Sequence, residues 1–155
     1  MYKHCDSNDE YVSLHDCRAT KVTFENGVLK FVFQDGFWIT QGHPDNMLHK
    51  TDRTGESEVK FLLENGDEYD VTLYVFEERE QETVREEWEL DKFMECINKK
   101  NCALEFLYQY KGYHSMIIEC WLWFDEEPYH KECELKLSLK DVEYYWNHLC
   151  EDAEW

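Results

Sequence analysis

The chain has 155 residues, with 16 Lys and Arg against 35 Asp and Glu, a formal charge of -19 and 43% apolar residues. That apolar share excludes intrinsic disorder, the length suits one domain (residues 1–155) with a real core, and the charge repels nucleic-acid phosphates and anionic membranes. No apolar run reaches the roughly 20 residues that cross a bilayer, and MYKHCDSNDEY lacks the apolar block of a secretory signal, so a cytoplasmic location is expected.

Residues 1–16 are polar and read as irregular. From Lys21, Val22 and Phe24 alternate with polar residues, and Leu29, Phe31 and Phe33 do the same after Asn26-Gly27. Asn-Gly supplies the positive φ of a two-residue hairpin turn. Asp35-Gly36 repeats the signal before Phe37-Trp38-Ile39, so a three-strand meander is expected over 21–39. Residues 40–56 break the pattern and read as a long loop. Val59, Phe61 and Leu63 mark a fourth strand and Tyr69, Val71, Leu73 and Val75 a fifth, joined by Asn65-Gly66 as a hairpin. The two Glu-Asn-Gly turns, at 25–27 and 64–66, hint at an internal repeat.

Residues 77–95 hold nine acids, predicted as an exposed hairpin or loop with a strand near Thr83–Glu89. Leu90, Phe93, Met94 and Ile97 then fall at i, i+3, i+4 and i+7, one side of a helix over about 90–100. Leu104, Phe106, Tyr108 and Tyr110 alternate as one face of a strand. The most apolar strand, Ser115 to Phe124, puts Ile118, Cys120, Leu122 and Phe124 on one face and Ile117, Glu119, Trp121 and Trp123 on the other, and both faces are expected to be covered. A last strand carries Cys133, Leu135, Leu137 and Leu139. Val142, Tyr145, Trp146 and Leu149 predict a second helix over about 140–149.

Seven cysteines, an odd number and without a Cys-x-x-Cys, argue against a disulfide framework; Cys96, Cys120 and Cys133 fall at core positions. His15-Asp16-Cys17 cannot form a relay on an extended chain, because neighbours point to opposite faces, so His15 and Asp16 are expected to fix the entry to the first strand. His4-Cys5, His43, His49 and His130-x-x-Cys133 lack the paired spacing of a zinc site, and no metal or cofactor is expected. Glu119 lies between Ile117 and Trp121 on an apolar face, a setting that can raise a carboxyl pKa. Phosphate loops, Gly-x-Ser-x-Gly, His-Glu-x-x-His and dinucleotide fingerprints are absent.

Ser13-Leu14-His15-Asp16-Cys17 followed by the Lys21–Phe33 hairpin resembles small uncharacterised bacterial domains, some similar to immunity proteins of polymorphic toxin systems. That resemblance implies an antiparallel sheet in a bacterial cytosolic protein that binds another protein.

The reading is therefore an α+β, mostly antiparallel domain of about eight or nine strands, in two packed sheets or an open barrel, with two short helices. The first expected function is a non-catalytic binding domain, an acidic immunity-type inhibitor of a basic toxin, acting through Glu77, Glu78, Glu80, Glu82, Glu86 and Glu87. A second reading is a small-ligand binder or enzyme with an aromatic cleft around Trp121, Trp123, Glu119 and His15. A third is a structural or oligomer-forming domain. The expected partner is a basic protein, not nucleic acid or membrane, and the chain is a monomer or homodimer.

Overall fold

The computed structural model describes residues 1–7 and 9–151. The strands are β1 (His4–Asp6), β2 (Val12–Ser13), β3 (Cys17–Ala19), β4 (Lys21–Glu25), β5 (Val28–Phe33), β6 (Trp38–Ile39), β7 (Asp52–Thr54), β8 (Ser57–Leu63), β9 (Val71–Arg79) and β10 (Glu82–Trp88). The helix α1 (Leu90–Lys99) follows, then β11 (Ala103–Gly112), β12 (Ser115–Trp123), β13 (His130–Trp146) and β14 (Leu149–Cys150). All pairings are antiparallel. A ten-stranded sheet runs β3-β11-β12-β13-β8-β5-β4, with β1 and β9 also on β13 and β10 on β9; a small sheet runs β14-β7-β6-β2.

The Asn26-Gly27 turn forms as expected, with φ 51° and 75° and Glu25 paired to Val28. The meander does not continue. β5 takes β8 as its other neighbour, and β6 joins β2 and β7 instead. Gly36 (φ 75°) lies so close to Thr54 and Gly55 that a Cβ would meet the Thr54 carbonyl oxygen at 2.1 Å. There the Phe37 N–H donates to Thr54 Oγ1 at 2.9 Å, and the chain leaves the sheet.

β8 and β9 likewise do not form a hairpin. They run in series along β13, β9 against residues 133–137 and β8 against 139–145. Buried Asp70 organises the link: Asn65 N–H (2.7 Å), Asn65 Nδ2 (2.8 Å) and Gly66 N–H (2.9 Å) all donate to its carboxylate. Burial alone would raise this carboxyl; the converging donors outweigh it and hold the pKa below the ordinary value.

The predicted helix over 140–149 is strand. β13 is a single 17-residue strand with a register shift between Leu139 and Asp141. The extra residue moves the buried phase from Cys133, Leu135, Leu137 and Leu139 to Val142, Tyr144 and Trp146. That slip from odd to even positions imitates the spacing of a helix. The N-terminal segment, expected to be irregular, supplies β1, which pairs with Tyr144–Trp146.

α1 forms where its periodicity places it, burying Leu90, Phe93, Cys96 and Ile97. Asn98 guards the free edge of β4: its Nδ2 donates to Val22 O (2.7 Å) and its Oδ1 accepts from Val22 N–H (2.9 Å). The large sheet curls, since Phe106 of β11 touches Phe31 and Phe33 of β5, each at 5.3 Å between ring centroids. One core holds these rings with Phe61 of β8, Phe93 of α1, and Tyr144 and Trp146 of β13.

The segment 40–51 is irregular but anchored. Buried Asn46 donates to Ile39 O, Thr40 O and Lys50 O and accepts from Leu48 N–H. His43 accepts from Asp45 N–H at Nδ1, so Nε2 carries the proton and donates to Asp6 Oδ2 at 2.8 Å. Among the described residues no helix is long and apolar enough to cross a membrane.

Candidate binding face

β12 is central, between β11 and β13, yet only one of its faces is covered. Met116, Ile118, Cys120 and Leu122 point into the core, while Ile117 and Glu119 are exposed and Trp121 and Trp123 half-buried. Among the described residues no layer packs over this outer side, in contrast to the expectation of two covered faces. The register sets His130, Glu132, Glu134 and Lys136 of β13 beside it and Tyr74 beyond them on β9.

On β11 a bulge decides what reaches this face. The register shifts between Phe106 and Tyr108, so Gln109 pairs with inward-facing Ile118 while Tyr108 and Tyr110 pair with Glu119 and Ile117. Periodicity had placed both tyrosines with Leu104 and Phe106; the bulge at Leu107 turns them outward, where they are 54% and 51% exposed. The Ser13–Cys17 segment holds that bulge. Asp16, in the left-handed region at φ 58°, donates its N–H to Phe106 O (2.8 Å), and His15 donates from Nδ1 to Leu107 O (2.6 Å). Thus His15 and Asp16 do fix the strand entry. Buried Cys17, its thiol pushed up to about 12 by desolvation, is unsuited to nucleophilic work.

Aromatic rings run across the face. Trp121 and Trp123 lie 5.7 Å apart, and His130 sits 4.9 Å from one and 5.0 Å from the other. The Arg18 guanidinium stacks 4.3 Å over Trp123 while its Nε donates to Glu105 at 2.7 Å, so this face already binds one cation by ring and carboxylate together. His15 packs on Tyr108 at 5.3 Å, and the Tyr110 hydroxyl donates to Glu119 at 3.5 Å. The predicted cleft residues Trp121, Trp123 and Glu119 therefore share a face, with His15 at its rim. A hollow of about 260 Å³ over β12 and β13 is lined by Glu119, Trp121, Glu132 and Phe76. A second, of about 510 Å³, shares Phe76 and Glu132 and extends it past Glu78, Thr83, Pro128 and His130.

The acidic hairpin borders the second hollow. β9 and β10 pair from Arg79–Glu82 to Leu73–Trp88. Glu80 and Gln81 make the turn with φ 50° and 71°, a two-residue I′-like geometry built without glycine. The six predicted acids divide. Glu77 is bound by Lys131 and by Arg79 (Nη2, 2.7 Å), which pull its carboxyl down to about 2. Glu86 is held by Lys92 at 3.0 Å, with Arg79 at 3.7 Å. Glu78, Glu80, Glu82 and Glu87 are exposed and carry no ion pair among the described residues; neither do Glu119 and Glu132.

His130 lies on the outer face and Cys133 in the core, so this pair cannot share a metal, and no cluster of three or more ligands exists among the described residues. Sequence reasoning missed Phe76, Glu132, Tyr108 and Tyr110. Glu132 was legible as the exposed phase of the Cys133–Leu139 alternation; the tyrosines were not, because a bulge leaves no local signal.

Comparison of the chain with protein-family models, curated proteins and solved structures finds no match.

Proposed function

We propose that the chain is a non-catalytic protein-binding domain that receives a basic partner on the outer face of β9, β12 and β13 and on the adjoining β9–β10 hairpin. One observation carries this reading. Among the described residues Glu78, Glu119 and Glu132 have no basic partner, and they stand beside Phe76 and Trp121 along hollows open to solvent. An ammonium or guanidinium group entering there meets a carboxylate and a ring at once, as Arg18 already does. The charge of -19 draws cationic surfaces toward the domain. The specific form is an immunity-type inhibitor that covers the active site of a basic toxin such as a nuclease; it predicts that the chain protects cells from a toxin encoded beside it.

The test uses calorimetric titration with a lysine- and arginine-rich peptide. Binding is expected to weaken as salt rises and to fall about tenfold or more when Glu78, Glu119 and Glu132 are all changed to Lys. A control reverses Glu25, Glu56 and Glu68, exposed acids away from this face. Equal losses in both triple variants would mean that net charge alone is at work, and would end the proposal. A preference for a small aromatic cation over the peptide, still dependent on Glu119 and Trp121, would favour the small-ligand reading.

A further inference from the structure

The end of α1 brings two thiols together. Lys100 N–H and Cys102 N–H both donate to Cys96 O, at 3.2 and 3.4 Å. Asn101 between them takes the left-handed conformation (φ 54°), the usual device for ending a helix. This cap folds Cys102 back over the last turn, so its Sγ lies 2.8 Å from Cys96 Sγ. A disulfide bond spans about 2.05 Å, and little movement separates the two states. Both residues are at least 95% buried, with relative exposures of 5% and 4%.

We propose that Cys96 and Cys102 are a redox pair that closes to a reversible disulfide under hydroperoxide. The thiolate of Cys102 attacks one peroxide oxygen. An S–O bond forms, the O–O bond breaks, and hydroxide leaves and takes up the thiol proton as water. Cys96 sulfur then attacks the sulfenic acid: the S–S bond forms, the S–O bond breaks, and hydroxide leaves with the second thiol proton as another water. Two thiols are oxidised and one hydrogen peroxide is reduced to two waters. Burial, with the hydrogen bond to Cys96, pushes the Cys102 thiol up to about 12. The reaction is therefore slow while the cap is closed and gated by its opening. Once formed, the bond ties the last turn of α1 to the start of β11. Asn98, which guards β4 through Val22, lies inside the closed ring. Intracellular disulfides are characteristically transient and redox-sensing, and this one involves none of the residues of the proposed binding face.

The full chain is treated with hydrogen peroxide under native conditions, alkylated and digested with trypsin. Cleavage at Lys92, Lys99, Lys100 and Lys111 puts the two cysteines on separate peptides, 93–99 and 101–111. The expected product is these two peptides linked, two hydrogens lighter than their sum, and released by a thiol reductant. Amide exchange at Val22 is expected to slow several-fold in the oxidised protein. Overoxidation of either cysteine without linkage, or linkage of Cys96 to Cys133, would overturn the assignment. Linkage with unchanged exchange at Val22 would overturn the lock on the β4 edge. Cys102→Ser is expected to abolish the linked peptide while leaving the circular dichroism of the reduced protein unchanged.

Discussion

Met116, Ile118, Cys120 and Leu122 point one way along β12; Ile117, Glu119, Trp121 and Trp123 point the other. The inner four are buried to within 2% of completely and belong to the one hydrophobic core. The outer four are as rich in large side chains, yet meet solvent, a tyrosine pair and acids. Apolar character along a strand thus does not reveal whether a second layer exists. The inner face supplies the stability of the fold, and the outer face carries surface that folding does not consume.

The comparison breaks if stability and binding respond to the same residues. Phe106→Ala, at the contact of β11 with Phe31 and Phe33, is expected to cost about 3–5 kcal/mol in urea unfolding. Trp121→Ala, on the outer side of the neighbouring strand, is expected to cost under about 1 kcal/mol while weakening cationic-peptide binding. Reversed magnitudes would mean that the outer face is structural.

Gly36→Ala comes next. It forces a side chain into a left-handed site already closed by Thr54 and Gly55, with an expected loss of about 2–4 kcal/mol. Gly66→Ala has a similar φ of 77°, but its nearest neighbour, Gly27 Cα, is 3.5 Å from the added Cβ. Only the conformational cost of about 1 kcal/mol remains, and thermal melts of the pair separate steric closure from backbone strain.

Asp70→Ala is expected to cost about 1–3 kcal/mol near neutral pH, because three donors lose their acceptor. The folded pKa lies below the ordinary value of 3.8. The charge-dependent stabilisation is therefore complete above about pH 4 and disappears as pH falls through the folded pKa. Denaturation curves for wild type and variant should converge on acidification in that window, and parallel curves down to strong acid would contradict the assignment. The smallest effect is a gain. Gln81→Gly relieves a left-handed non-glycine residue in the β9–β10 turn and is expected to stabilise the hairpin by about 0.5 kcal/mol, without altering peptide binding.

Local chemistry was sufficient where one turn or one period decided the outcome. Asn26-Gly27 set the β4–β5 hairpin, and Leu90, Phe93, Met94 and Ile97 set α1. The alternation of β12 placed Glu119, Trp121 and Trp123 together on one side, because successive strand residues diverge whatever they pack against. Only the tertiary structure decided that Asp35-Gly36 and Asn65-Gly66 are departures rather than hairpins, since a left-handed glycine permits a turn without choosing the strand beyond it. It also decided the bulges at Leu107 and Lys140, which reverse the facing of every later residue on β11 and β13, and among the described residues it left the outer side of β12 without a covering layer. These features rest on partners distant in the chain: Thr54 for Gly36, His15 for Leu107, β8 for the second half of β13. No window of neighbouring residues contains them.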